Sequence, residues 1–128
     1  MTRNEILNMP AGREMDALVA EKVMGWSRGT YHSDGVDYLR DPEGTSHLNV
    51  PQYSTDIAAA WQVVEKIRTK YPVIRISTGD LMGKYWQCHM ADAWREVSHE
   101  DDSDWFANAP TAPLAICRAA LLAVMDSE

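Results

Sequence analysis

Two segments rich in small apolar residues constrain the fold of this chain more than any other feature of its sequence. One covers residues 51–61 and the other residues 111–122. Each begins with hydroxyl or carboxylate side chains that cap helices, and each continues with alanines that let a helix lie close to a sheet. The sequence therefore predicts two closely packed helices on a sheet.

Length and composition predict one globular domain over residues 1–128. Hydrophobic residues make up 45% of the chain and charged residues 24%, close to the average for globular proteins. No stretch approaches the roughly 18 apolar residues that indicate a membrane span. The residues after Met1 lack the apolar core of a signal peptide. We therefore expect a cytoplasmic protein without membrane contact.

The charge balance argues against general nucleic-acid binding. The formal net charge is −7, from 19 acidic and 12 basic residues. Such a surface repels phosphate backbones unless the basic residues cluster, and here they are spread along the chain. A small anionic ligand is still compatible, because it needs only one local pocket.

Apolar residues at three- and four-residue steps predict helices in the first half of the chain. One helix is predicted over residues 13–24, with Gly25 as a left-handed cap. Another is predicted to begin after a Ser54 or Thr55 cap, with Asp56 in its first turn. The predicted buried stripe of this second helix is Ile57, Trp61, Val64 and Ile67.

Strands are predicted between that helix and the last one. The predicted ranges are 73–77, 84–91 and 93–97. Alternation in the second range places Trp86, Cys88 and Met90 on the more apolar face, which should lie against helices. Residues 36–39 and 47–50 flank a turn and form a weaker candidate hairpin inside the long 27–52 loop.

Arg118 is the only charged residue between Thr111 and Met125. A buried cation is costly unless it is paired, so we expect its guanidinium to bind a carboxylate or backbone carbonyls. Asp56 and Asp16 are the candidate carboxylates. A structural ion pair is favoured over a ligand contact, because arginine readily forms bidentate pairs with carboxylates.

The residue types that serve metals and catalysis lack the required spacing. The four histidines include no pair three to five residues apart, as a local zinc site would need. Cys88 and Cys117 have no metal or redox spacing, and we expect two buried thiols. The acidic segment 98–104 does not fit a calcium loop and is interpreted as solvated. No metal, no cofactor and no catalytic residue is predicted.

Three segments carry a resemblance to a known family. They are residues 14–26, residues 53–61 and residues 112–121. They occur in the order expected for that family, and together they span most of the chain. The chain resembles the phage ABA-sandwich domain family, small proteins of phages and prophages. The resemblance implies an α/β (α+β) fold, a three-layer α/β/α sandwich with a small, mainly antiparallel sheet. It implies an accessory protein acting in the infected bacterium, and no cofactor.

We interpret the chain as a binding protein without enzymatic activity. Five tryptophans are many for this length, and exposed aromatic residues anchor partners or stack on bases. One version of the hypothesis is sequestration of a nucleotide immune signal, and another is inhibition of a host factor. The candidate ligand or partner residues are Trp26, Arg28, Tyr53, Trp94, Arg95, Trp105 and Arg118.

Two other classes stay open at this point. One is a small enzyme acting on a nucleotide-like metabolite, and the other is a structural protein that assembles through sheet edges or helices. A homo-oligomer is compatible with all three classes, because small sheet domains often cover an exposed edge by self-association.

Overall fold

Four helices and six strands make up the regular structure in the part of the chain that the computed structural model describes, which is residues 2–30, 37–79, 85–91 and 105–126. In chain order they are α1 (Arg3–Asn8), α2 (Arg13–Lys22), β1 (Ser27–Thr30), β2 (Asp37–Arg40), β3 (Ser46–His47), α3 (Ile57–Ile67), β4 (Val73–Gly79), β5 (Tyr85–Ala91), β6 (Trp105–Ala109) and α4 (Ala112–Asp126). The strands form two antiparallel sheets, in the orders β1-β2-β3 and β4-β5-β6. The predicted α+β class is confirmed.

Helix α4 is the centre of the hydrophobic core. Between Leu114 and Ala123 every side chain except Arg118 is buried. The helix packs on strands β5 and β6 and also on helices α1, α2 and α3. A helix that is apolar on all sides needs such a position, because no side of it is suited to water. The larger sheet and the other three helices therefore share one core through α4.

The buried face of α3 differs from the predicted stripe. Val64 and Ile67 are buried as predicted, but Ile57 and Trp61 are 53% and 52% exposed. The core side consists of Ala59, Ala60, Val63, Val64 and Ile67. Small residues allow α3 to lie close to α4, so the alanines face inward and the larger Trp61 lies outside. The prediction that Trp61 is a core residue was wrong.

The start of α3 also differs from the prediction. Asp56 is the N-cap, and its carboxylate accepts the backbone N–H of Ala58 at 3.1 Å. The predicted caps, Ser54 and Thr55, both precede the helix, and Ser54 is buried. Asp56 is the better cap because the cap residue needs an extended backbone and a short acceptor side chain.

The larger sheet confirms two predicted strands and adds one that the sequence did not predict. Strands β4 and β5 are paired with Ile76 opposite Cys88. Strand β6 then pairs with β5, placing Ala107 opposite Cys88. The predicted strand 93–97 and the acidic segment 98–104 lie outside the described residues. The hairpin around residues 41–44 is present as β2 and β3, with Gly44 at a φ of 94°.

The predicted face of β5 is confirmed at two of three positions. Cys88 and Met90 are buried beneath α4, whereas Trp86 at the start of the strand is 38% exposed. Cys88 and Cys117 are buried free thiols, as predicted. Burial raises the pKa of Cys88 to about 12 and also raises the pKa of Cys117. Within the described ranges, no helix combines the length and the apolar character needed to cross a bilayer.

Candidate functional site

A cleft of about 420 Å³ opens beside the first turns of α2. We call it the α2 cleft, and it lies between α2, strand β2 and the segment that leads toward α3. It is lined by Arg13, Asp16, Ala17, Leu39, Leu48, Asn49, Val50 and Gln52. Charged, amide and apolar groups thus meet in one concave surface, which is the usual composition of a small-molecule site.

On its α2 side, the cleft is bounded by a buried hydrogen-bond network. The carboxylate of Asp16 accepts the backbone N–H of Ser54 at 2.8 Å and the Ser54 hydroxyl at 2.6 Å. The Ser54 hydroxyl in turn accepts the backbone N–H of Gly12 at 2.9 Å. Gly12 is the N-cap of α2, so this network joins the start of α2 to the chain entering α3. It gives the cleft a rigid wall.

Arg13 places a cation in the cleft. Its guanidinium donates to the side-chain oxygen of Asn49 at 3.0 Å, which links α2 to the opposite wall. Arg13, Asn49 and Gln52 are all exposed, so their remaining donors face solvent. An arginine guanidinium has five N–H donors in a planar fork, and this geometry suits carboxylate and phosphate oxygens.

Apolar side chains complete the lining. Leu39 is buried and Val50 is half-buried, whereas Leu48 is 62% exposed. An exposed leucine by itself is ordinary, but here it lies beside two further aliphatic side chains and a cation. The flat side of a heterocyclic ring fits against aliphatic groups of this kind.

An aromatic group lies next to the cleft. The rings of Trp26 and His47 are 5.1 Å apart, and His47 binds the carboxylate of Asp41 at 2.9 Å. The hydrogen bond from His47 lowers the pKa of Asp41, and the Thr45 backbone N–H lowers it further. Trp26 also hydrogen-bonds to Tyr53, whose pKa burial raises to about 12.

Among the predicted site residues that the structure describes, it brings Trp26 and Tyr53 together. Tyr53, however, is only 1% exposed. Arg28 lies at the surface in an ion pair with Glu21 at 2.6 Å. Trp105 is buried, with its ring edge-on to Tyr71. The burial of Tyr53 and Trp105 leaves little of either ring for a partner.

Two predicted residues, Trp94 and Arg95, lie outside the described residues. The seventh, Arg118, donates to the backbone carbonyls of Asn108 at 2.8 Å and Met9 at 2.9 Å. The expectation of a carbonyl partner is confirmed.

The candidate carboxylate partners of Arg118 were wrong. Asp16 binds Ser54 and Asp56 caps α3, so both carboxylates have other structural roles. The Nε atom of Arg118 has no hydrogen-bond partner among the described residues, and burial lowers the pKa of the side chain. Arg118 thus links α4 to β6 and to Met9 at the end of α1. This role is structural.

Sequence reasoning missed the residues that line the cleft. Arg13 lies far along the chain from Asn49 and Gln52, and no motif joins them. The available signal was the long 27–52 loop, which contributes Leu39, Leu48, Asn49, Val50 and Gln52 to the cleft. A second cavity of about 370 Å³ lies between α1 and β6, lined by Arg3, Leu7, Phe106, Ala107 and Asn108. The described residues contain no group of three His, Cys, Asp or Glu side chains suited to a metal.

Comparison with known proteins identifies one family. The family model of the phage ABA sandwich domain matches residues 17–121 of this chain. That range runs from the middle of α2 into α4 and includes both sheets. No curated protein matches the chain.

Proposed function

The chain belongs to the phage ABA sandwich domain family, and we propose that it is a phage accessory protein that holds a small nucleotide-like ligand in the α2 cleft without transforming it. The ligand class we favour is a nucleotide signal of bacterial immunity, sequestered in the host cytoplasm. The observation that carries this proposal is the meeting of Arg13, two side-chain amides and aliphatic walls in one cleft.

The size and charge of the α2 cleft support a small ligand. Pockets for small molecules usually measure about 300–1,000 Å³, and this one measures about 420 Å³. The net charge of −7 repels long polyanions, whereas a small anion needs only the local cation Arg13. Nucleic-acid polymers are therefore poor candidates and single nucleotides are good ones.

The arrangement of polar groups favours a nucleotide over a simple anion. Asp16 and Arg13 both line the cleft, so it offers an acceptor as well as a cation. A bare phosphate satisfies Arg13 and is repelled by Asp16. A nucleotide supplies phosphate oxygens for Arg13 and N–H donors on its base for carboxylate or amide oxygens. The aliphatic walls then contact the faces of the base.

The described nucleophile candidates support binding more than catalysis. A cysteine nucleophile acts as the thiolate, and burial raises the pKa of Cys88 to about 12 and raises that of Cys117 too. Beside the cleft, the Nε2 atom of His47 already binds Asp41. A catalytic site needs a nucleophile and a base in hydrogen-bond reach of each other. The Ser54 hydroxyl and the Asp16 carboxylate meet this requirement at 2.6 Å, but both are buried in the network that joins α2 to the chain entering α3.

Replacing Arg13 by alanine is expected to weaken nucleotide binding by about 10- to 100-fold, because hydrogen bonds to charged groups contribute about 1.5–3 kcal/mol. Isothermal titration calorimetry with a panel of linear and cyclic nucleotides measures this loss. Arg28→Ala is the matched control, since Arg28 is a surface arginine of β1 that does not line the cleft. Its affinity should equal that of the unmodified protein. Equal losses in the two variants would contradict the proposal.

A further inference from the structure

The outer face of α3 carries large apolar side chains that no described element covers. Ile57 and Trp61 lie one helical turn apart and are 53% and 52% exposed. Ala58 lies between them and is also exposed. We call these three residues the α3 face. Such side chains are costly to leave in water, and tryptophan is the residue type most enriched in interface centres.

We propose that the α3 face binds the same face of a second copy of this chain, with the two α3 helices antiparallel. In such a twofold pair, Trp61 of each copy packs on Ile57 of the other, which places the axis level with residue 59 and the two Ala58 side chains close to it. Small residues at the axis let the helices approach closely. A twofold interface of this kind uses one patch on both subunits.

Charges along α3 favour the antiparallel arrangement. The carboxylate of Asp56 caps the N-terminus, and Lys66, Arg68 and Lys70 lie at the other end. With Trp61 opposite Ile57, Asp56 of each copy lies level with Gln62 of the other, so antiparallel packing keeps the two Asp56 carboxylates apart and the two cationic ends apart. The helix dipoles also oppose each other in this arrangement, which is favourable. A parallel pair would place like ends together.

The charge of the whole protein favours the same face. Two copies with a net charge of −7 repel each other on most approaches. Around α3 the sequence carries two carboxylates, Asp56 and Glu65, against the three cations at its C-terminal end. The local charge around α3 is therefore positive, and repulsion between two α3 faces is lower than the net charge of the protein implies. Because the patch is small, we expect a weak dimer with a dissociation constant in the roughly micromolar range.

Sedimentation velocity over a range of protein concentrations tests the proposal. The unmodified protein should shift from one copy to two as the concentration rises, and Trp61→Glu should remain a monomer throughout. Trp86→Glu is the matched control, because Trp86 is a partly exposed tryptophan on the sheet. It should dimerise like the unmodified protein. A monomer at all concentrations, or equal dimerisation of Trp61→Glu, would overturn the proposal.

Disulfide trapping tests the antiparallel geometry independently. At about 1.5 Å per residue, the two copies of residue 58 are offset by about 3 Å along the helix axes, and the two copies of residue 65 by about 18 Å. Ala58→Cys should therefore form a covalent dimer under mild oxidation, and Glu65→Cys should not, because disulfides require Cα atoms within about 7 Å. The buried Cys88 and Cys117 do not interfere. Trapping of both variants, or of Glu65→Cys alone, would contradict the arrangement.

Discussion

Replacing Leu121 by alanine is expected to lower the free energy of unfolding by about 2–5 kcal/mol. Leu121 is fully buried in α4, the helix that both the larger sheet and the other helices pack against. Removing its side chain leaves a cavity at the centre of the core, and neighbours on several elements cannot all move inward to fill it. Urea unfolding followed by circular dichroism measures the loss.

The control for this prediction is Leu48→Ala. Leu48 is 62% exposed on the wall of the α2 cleft, so the same change of side chain should alter the free energy of unfolding by less than about 0.5 kcal/mol. Similar losses in the two variants would show that α4 is not the centre of the core.

Replacing Asp16 by alanine is expected to lower the free energy of unfolding by about 3 kcal/mol. The carboxylate accepts two hydrogen bonds from the buried Ser54, one from its backbone N–H and one from its hydroxyl. Each buried donor left without a partner costs about 1–3 kcal/mol. The hydroxyl recovers part of this loss, because it also lies 3.4 Å from the carbonyl of Gly12.

Asp56→Ala is the matched control for Asp16→Ala. Asp56 also accepts a backbone N–H, but it is an exposed helix cap, and losing such a cap typically costs about 1 kcal/mol. Thermal or urea unfolding of the two variants should therefore differ by about 2 kcal/mol. If Asp16→Ala is no less stable than Asp56→Ala, the buried network does not join α2 to the start of α3.

Helices and their buried faces could be predicted from the sequence where the apolar residues fitted only one face. Helix α2 and its C-cap carry Met15, Val19 and Val23 on a single face, and all three are buried. Helix α3 has large apolar residues on two faces, so periodicity alone could not decide which face is inside. The structure buries the alanine side, because close packing against α4 depends on small side chains. The same ambiguity hid β6, where alanines alternate with aromatic and polar residues just before a helix.

The contacts of the candidate site were not predictable, because they join residues far apart in the chain. Asp16 and Ser54 are separated by 38 positions, and Arg13 and Asn49 by 36. The sequence showed that Arg118 needed a carboxylate or carbonyl partner, and an ion pair with Asp16 or Asp56 was favoured. In the fold, the guanidinium binds the carbonyls of Met9 and Asn108. Backbone acceptors carry no sequence signature, so only the structure reveals them.

The proposed function requires that the α2 cleft retains a nucleotide-like molecule unchanged. Native mass spectrometry of the protein purified from a bacterium that produces this nucleotide class tests this retention directly. We expect a bound nucleotide on the unmodified protein, released with its original mass on denaturation and greatly reduced on Arg13→Ala. A protein that carries no nucleotide under these conditions, or one that converts an added nucleotide to a product of different mass, would contradict it.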